Sequence, residues 1–457
     1  MSFSTPIPPR IADAIVDELS DDSLALKQCS LISRQFRERS QINLYSRSKI
    51  DLYLPGGADN QRSLQEYLSM LPSKFIYHIG RLSLFVEERE IQGGFTLQEE
   101  RDLIVLFNGL KSLRAFSLLM DNSTGKFGPY WLSRSLESAV VSMIRVTQVS
   151  EVTVHNLVDF PMVLLSLGCP HLRMLDFHGR RQDAHLIIER PVIPERAPVD
   201  KKGCLHVLKV DDTSVAHIYI LLKTSKLPQS MLTLSNLRDF AISGNAPHTM
   251  DLVVRIVSEA ASLGRLTWDC EHYWYRPELM APAFPKDPTS LRLAFVHHHN
   301  RVPPHLNWIL MGLQNAPECS RLEELVLLLD VGSVWNNSKK TNFELWNECD
   351  AWARTIDSLL MGRRFSGLRR MAIFVRYAPI NDRAPSVAYL DVMVKRLKQK
   401  LPMLHSKGVL SVQWLVNTRR WPLRVALREM EQGHEGDILV DVPGALESDF
   451  QRFCLKD

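Results

Sequence analysis

Cysteine is sparse in this chain of 457 residues, and the seven present are scattered at positions 29, 169, 204, 270, 319, 349 and 454. None forms a C-x-x-C pair, so neither a disulfide framework nor a zinc knuckle is expected. They read as reduced thiols, which points to a cytoplasmic or nuclear protein. The tail after Cys454, Leu455-Lys456-Asp457, does not suit prenylation. Long apolar runs are missing as well, and none approaches the roughly 20 residues that span a bilayer. Met1-Ser2-Phe3-Ser4-Thr5-Pro6 has neither a basic start nor an apolar core, so no secretory signal is expected. Charge excess is small: 55 Lys and Arg against 51 Asp and Glu leave +4. That is no footprint for nucleic acid. Neither nucleic acid nor a membrane is an expected partner.

Catalytic signatures are also lacking. There is no G-x-S-x-G, no H-E-x-x-H and no G-x-G-x-x-G. Ser123-Thr124-Gly125-Lys126 lacks the upstream glycine and the trailing hydroxyl residue of a phosphate loop, so it reads as a turn. Asn122-Ser123-Thr124 fits a glycosylation sequon, but without a signal it reads as chance. His297, His298 and His299 are consecutive, and neighbours on a strand point to opposite faces, so they do not converge on one metal. Together with His305 they read as a solvated strand end. Asp269-Cys270-Glu271-His272 offers ligand types without a second set at zinc spacing. The expectation is no enzyme: no catalytic residues, no metal and no cofactor.

What is present begins at the N-terminus. Pro8 and Pro9 suit a helix entry, because proline presets φ and lacks only an N–H that the first turn does not use. Ile11, Ile15 and Leu19 follow at four-residue steps, which lays them along one face. Asp21 and Asp22 suit the end of this helix and the cap of the next. Leu24, Cys29, Leu31, Ile32 and Phe36 then recur at helical spacing, with Arg34, Arg37 and Arg39 on other faces. About forty residues do not bury all these side chains alone. The surplus therefore faces either a partner or the rest of the chain.

From about Arg81 a short motif repeats, apolar-x-x-apolar-x-apolar. The copies are Leu113/Phe116/Leu118, Val149/Val152/Val154, Leu172/Leu175/Phe177 and Leu205/Leu208/Val210. Leu237/Phe240/Ile242, Leu263/Leu266/Trp268, Leu322/Leu325/Leu327 and Leu368/Met371/Ile373 continue it, with weaker copies at Ile79/Leu82/Leu84 and around Leu291/Leu293/Phe295. Helical stretches lie between them, at Asp251–Ala261, Glu348–Leu360 and Tyr389–Leu401. A repeated strand and helix is the pattern of a leucine-rich-repeat solenoid. Alternate strand residues are expected in a shared core, and the intervening ones on an open concave face. The intervals are irregular, so the copies are degenerate. Pro191 to Gly203, the stretch from Pro277 to Pro288 and Asn336 to Lys340 read as surface loops. Trp268 to Tyr275 reads as core aromatics or, less simply, a binding hot spot. Lys395, Arg396, Lys398 and Lys400 read as a solvated helix face near a favourable dipole end.

The string from Ile7 to Ile50 resembles the F-box, in the version found in mushroom-forming fungi. Ile7-Pro8-Pro9 stands for its Leu-Pro-Pro, and Lys27-Gln28-Cys29-Ser30-Leu31-Ile32-Ser33-Arg34 for its Cys-Ser-Leu-Val-Ser-Arg-like stretch. Leu44-Tyr45 and Ile50 match the segment leading to the first strand. Gly168-Cys169-Pro170-His171-Leu172-Arg173, Arg321-Leu322-Glu323-Glu324-Leu325 and Lys407-Gly408-Val409-Leu410-Ser411-Val412 resemble later phrases of the same proteins. Arg10 stands where an acidic residue is usual, and Phe36 where tryptophan is. The resemblance implies an α/β protein: an all-helical F-box module at 1–50, an irregular leucine-rich-repeat-like solenoid with a parallel sheet at 51–413, and a terminal cap at 414–457. It further implies a substrate-recognition subunit of a ubiquitin ligase. Ile7, Pro8, Pro9, Ile11, Ile15, Leu19, Leu24, Leu31 and Phe36 would bind a Skp-type adaptor and through it a cullin. The protein substrate and the residues that hold it are unknown. The competing expectation is a repeat scaffold with no link to ubiquitin.

Overall fold

The computed structural model describes residues 7–47, 49–54, 64, 68, 76–86, 96–120, 133–157, 160, 162–179, 202–244, 247–270, 284–296, 304–316, 321–330, 343–377 and 387–416. The chain is α/β, and its contacts divide it into two compact units, Met1–Leu237 and Arg238–Asp457.

The first unit opens with three helices, α1 (Pro9–Glu18), α2 (Ser23–Ile32) and α3 (Arg34–Arg47). Then come β1 (Lys49–Leu54), β2 (Arg81–Val86), α4 (Leu97–Gly109), β3 (Ala115–Met120), α5 (Arg134–Val146), β4 (Glu151–His155), α6 (Met162–Gly168) and β5 (Met174–His178). The unit closes with β6 (Gly203–Cys204), β7 (Val207–Asp211), α7 (Val215–Ser225) and β8 (Leu232–Thr233). Strands β1, β2, β3, β4, β5 and β7 pair in that order, every pair parallel. β6 and β8 form a separate two-stranded ladder.

Register explains the repeat. Leu82, Phe116, Val152, Leu175 and Leu208 stand in one row across the sheet, and Leu84, Leu118, Val154, Phe177 and Val210 in another. All are buried, as are the leading residues Ile79, Leu113, Val149, Leu172 and Leu205. β1 extends both rows with Ile50 and Leu52. Each fully buried Leu, Val or Phe contributes roughly 1.5–3 kcal/mol. Local chemistry sets the crossover helices. Thr96 and Glu99 make a reciprocal capping box at the start of α4, and Ser133 caps α5 by accepting from Leu136 N. α5 buries Leu136, Ala139, Val140, Met143 and Ile144 as one stripe.

The second unit runs β9 (Asp239–Ser243), α8 (Pro247–Glu259), β10 (Arg265–Cys270), β11 (Ser290–Val296), α9 (Pro304–Asn315), β12 (Glu324–Asp330) and α10 (Phe343–Leu360). It continues with β13 (Arg370–Tyr377), α11 (Val387–Lys400), α12 (Pro402–Ser406) and β14 (Leu410–Val416). Its six strands are again parallel and in sequence order. Phe240, Leu266, Leu291, Leu325, Met371 and Leu410 share a register row. Trp268 is core, 1% exposed, and its indole Nε1 donates to Gly244 O at 3.0 Å.

Two findings differ from the repeat pattern. The alternate positions of β11, β12 and β13 carry Ala294, Val326, Leu328, Ala372 and Phe374, which are buried together. These strands are thus apolar on both faces, as parallel strands covered on both sides are. An open polar face does not extend here. In addition, β14 continues through Trp414 to Val416, paired with β13. The strand therefore crosses the point where the repeat was expected to give way to a cap.

α12 is only five residues long and depends on a side chain from α10. Asp357, 3% exposed, accepts from Met403 N and Leu404 N, both at 2.9 Å. It thus satisfies two helix-start donors that α12 cannot pair internally. Asp357→Ala is expected to destabilise this end by about 2–3 kcal/mol, since the buried N–H of Leu404 and the part-buried N–H of Met403 both lose their acceptor. Hydrogen exchange at Met403 and Leu404 checks it: both amides should lose protection in Asp357→Ala and keep part of it in Asp357→Asn.

Candidate functional site

The N-terminal helices are held by a few polar clasps. Pro9 occupies the first turn of α1, and Asp22 caps α2 by accepting from Leu24 N and Ala25 N at 2.9 Å each. Arg39 on α3 grips Asp17 on α1 with two parallel bonds of 2.7 Å, and Asn43 Nδ2 adds a third at 3.0 Å. Those hydrogen bonds, Arg39 first and Asn43 next, hold the Asp17 carboxyl below the usual range. Gln35 Nε2 donates to the Ile7 carbonyl, and Arg37 Nε to Ser30 O at 3.1 Å. The start of α1 is thereby drawn to the junction of α2 and α3.

The apolar stripes then sort in an informative way. Ala12, Val16 and Leu26 are the buried ones. Ile7, Ile11, Ile15, Leu24, Leu31 and Ile32 are exposed, from 39% at Ile7 to 79% at Leu31. Pro8, Pro9 and Arg10 are exposed too, while Leu19 and Phe36 are half-buried. Elsewhere among the described residues the large exposed apolar side chains are Tyr77, Leu97, Val105, Val146, Val254, Met311 and Met403, spread over the remaining chain. Six within twenty-six residues is a concentration, and single scattered ones are ordinary. These side chains do not pack the module onto the following strands.

A second set of residues lies on the strands of the first unit. The register pairs His155 of β4 with His178 of β5, and Asp176 of β5 with Lys209 of β7. Asp176 Oδ1 lies 2.8 Å from His178 Nε2 and 3.4 Å from His155 Nε2, and Oδ2 lies 3.8 Å from Lys209 Nζ. The two imidazoles meet edge-on, with ring centroids 4.6 Å apart. His178 Nδ1 faces Asp211 Oδ2 at 3.6 Å. Asp211 is itself anchored: its Oδ1 accepts from Gly179 N at 3.2 Å, Thr213 Oγ1 at 2.8 Å and Ser214 N at 3.0 Å. Burial pushes the Asp176 carboxyl up, but the hydrogen bonds and charge of His155 and His178 outweigh it, and the carboxyl lies well below the usual range.

Backbone geometry supports this cluster. Asn156, directly after β4, takes a left-handed φ of 60°. Its N–H donates to His178 O and its side chain to Met120 O, both at 2.8 Å, so one residue joins the ends of β3, β4 and β5. Gly179 has no room for a side chain, since a Cβ would stand 2.7 Å from Thr213 Oγ1.

No family model matches this chain, and no curated protein matches it. Among the described residues, no helix is long and apolar enough to cross a membrane. His297, His298, His299, Ser123 to Lys126, Glu271 to Tyr275 and the last residues from 417 lie outside the described residues, as does the side chain of His305. Leu397 and Leu401 are buried, with Lys395 exposed beside them and Arg396, Lys398 and Lys400 half-exposed. The His–Asp cluster was missed by reading motifs one at a time. Its signal is positional: His155, His178 and Asp211 each follow the third apolar residue of consecutive copies, after Val154, Phe177 and Val210.

Asp17 gives the module a pH dependence of known sign. Its folded pKa is depressed, so its stabilisation is present above the unfolded carboxylate value of about 3.9 and lost as pH falls through the folded value. The pair is partly solvated, so the contribution is about 1 kcal/mol or less. Thermal melts by circular dichroism should show Asp17→Asn less stable than wild type at pH 7, with the gap closing toward pH 2.

Proposed function

We propose that this chain is the substrate-recognition subunit of a Skp/cullin/F-box-type ubiquitin ligase. The reading rests on one observation: the apolar residues that resemble F-box anchors stand in solvent, on a module whose own core is made by other residues. Ile7, Ile11, Ile15, Leu24 and Leu31 are the anchors, and the recognition mode is apolar helix faces inserted into a partner's groove. Leu19 and Phe36 contribute their exposed edges. The parallel strand–helix array that follows supports reading the rest as a degenerate leucine-rich-repeat solenoid that presents a protein substrate. The chain supplies no catalytic group to the transfer. It raises the local concentration of the substrate near a ubiquitin-charged enzyme, which alone accelerates a bimolecular step.

Co-purification of the full chain with a Skp-type adaptor tests this, with retention of the adaptor as the expected result. The double variant Ile11→Asp, Leu31→Asp should bind about 100-fold or more weakly, because each buried anchor is worth roughly 1.5–3 kcal/mol. Its thermal unfolding should match wild type, since both side chains are already in water. Failure of the full chain to retain an adaptor that other F-box proteins retain would leave an interaction scaffold with no ubiquitin link. Wild-type affinity in the double variant would remove these anchors.

A further inference from the structure

The cluster on β4, β5 and β7 gathers two imidazoles and a carboxylate at one point, the donor set of a metal site as well as of a hydrogen-bonded group. The anchored carboxylate of Asp211 faces Nδ1 of His178 and favours a proton there. Nε2 lies 2.8 Å from Asp176 Oδ1: it donates there when it carries the proton, and presents a lone pair to the same point when the proton is on Nδ1. The side chain of His155 brings a second imidazole nitrogen to the same oxygen. Three electron-pair donors thus crowd one point, and all three ligand atoms lie within 4.8 Å of one another. A proton on an imidazole holds such a group together, and a metal ion can take the proton's place.

We infer that His155 Nε2, His178 Nε2 and Asp176 Oδ1 form a site for a divalent first-row transition ion, of which zinc is the probe of choice. Imidazole and carboxylate donors without thiolate suit Zn²⁺ and its neighbours rather than Mg²⁺ or Ca²⁺. Two ligands at about 2.0–2.1 Å in tetrahedral geometry stand about 3.3 Å apart; the separations of 2.8 Å and 3.4 Å to Asp176 Oδ1 bracket that value, and the two imidazole nitrogens, within 4.8 Å of each other, close on the ion by a side-chain rotation of the more exposed His155. The surrounding shell is already built. Asp211 orients His178 as a carboxylate behind a ligating imidazole does. Lys209 lies 3.8 Å from Oδ2 of Asp176, while both imidazoles converge on Oδ1. Register holds the frame, since His155 and His178 are partners on adjacent strands and Asp176 stands two residues before His178 on the same face, with Asn156 fixing the ends. Three protein donors leave a coordination position for water or for a side chain of a bound protein. This site does not depend on the adaptor-docking reading.

The test is zinc binding to the full chain after chelator treatment, by isothermal titration, with Co²⁺ absorption reporting ligand geometry. Wild type should bind one more zinc ion than His155→Ala, whose half-exposed side chain can be removed without disturbing the core. Asp176→Asn and His178→Ala should lose the same ion. Asp211→Asn should keep it with about 10–100-fold weaker affinity. Thermal melts guard against misfolding: zinc should raise the unfolding temperature of wild type more than that of His155→Ala. Equal stoichiometry and affinity in wild type and His155→Ala would overturn the inference, and the proton would then be the occupant.

Discussion

A parallel strand cannot be reached by a tight turn, so each apolar triplet must send the chain through a long crossover before the next copy can pair. The fold of both units hangs on this constraint. Once Leu82, Phe116, Val152, Leu175 and Leu208 share a row, the crossovers have somewhere to pack. A one-residue slip would turn every triplet outward. Burial of the rows therefore fixes register, and register fixes what lies on the opposite face.

That second face shows what the constraint makes possible. In the first unit it brings His155, Asp176, His178, Lys209 and Asp211 together from three strands, at sites more than fifty residues apart in sequence. In the second unit the same positions hold Ala294, Val326, Leu328, Ala372 and Phe374, and the face becomes a second core. Polar neighbours survive at its margin, where Glu324 binds Ser290, Arg292 and Arg370 across three strands. Burial pushes the Glu324 carboxyl up, while Ser290 and the two guanidinium groups outweigh it and hold it below the usual range.

The strands were legible because a buried row demands apolar side chains at fixed places, and all ten triplets lie on or lead into observed strands. The inward face of α1 was not. Ile11 and Ile15 recur with the same period as Ala12 and Val16, so periodicity alone cannot choose between adjacent stripes. Ala12 and Val16, on the neighbouring stripe, are the residues that take the inside. The His–Asp cluster was hidden for another reason: its members acquire meaning only when consecutive copies are superposed, and His155 and Asp211 look unremarkable alone. The second apolar layer of β11 to β13 was visible as unbroken runs such as Leu325-Val326-Leu327-Leu328, which a one-sided strand does not need.

The exposed isoleucines and leucines of the N-terminal module carry a consequence for the free chain. Side chains such as Leu31 at 79% and Ile32 at 74% exposure offer apolar surface to a second copy as readily as to another protein. Solubility then becomes a matter of stoichiometry. If the proposed adaptor covers these helices, a preparation with the chain in excess should self-associate, and one matched to the adaptor should stay dispersed.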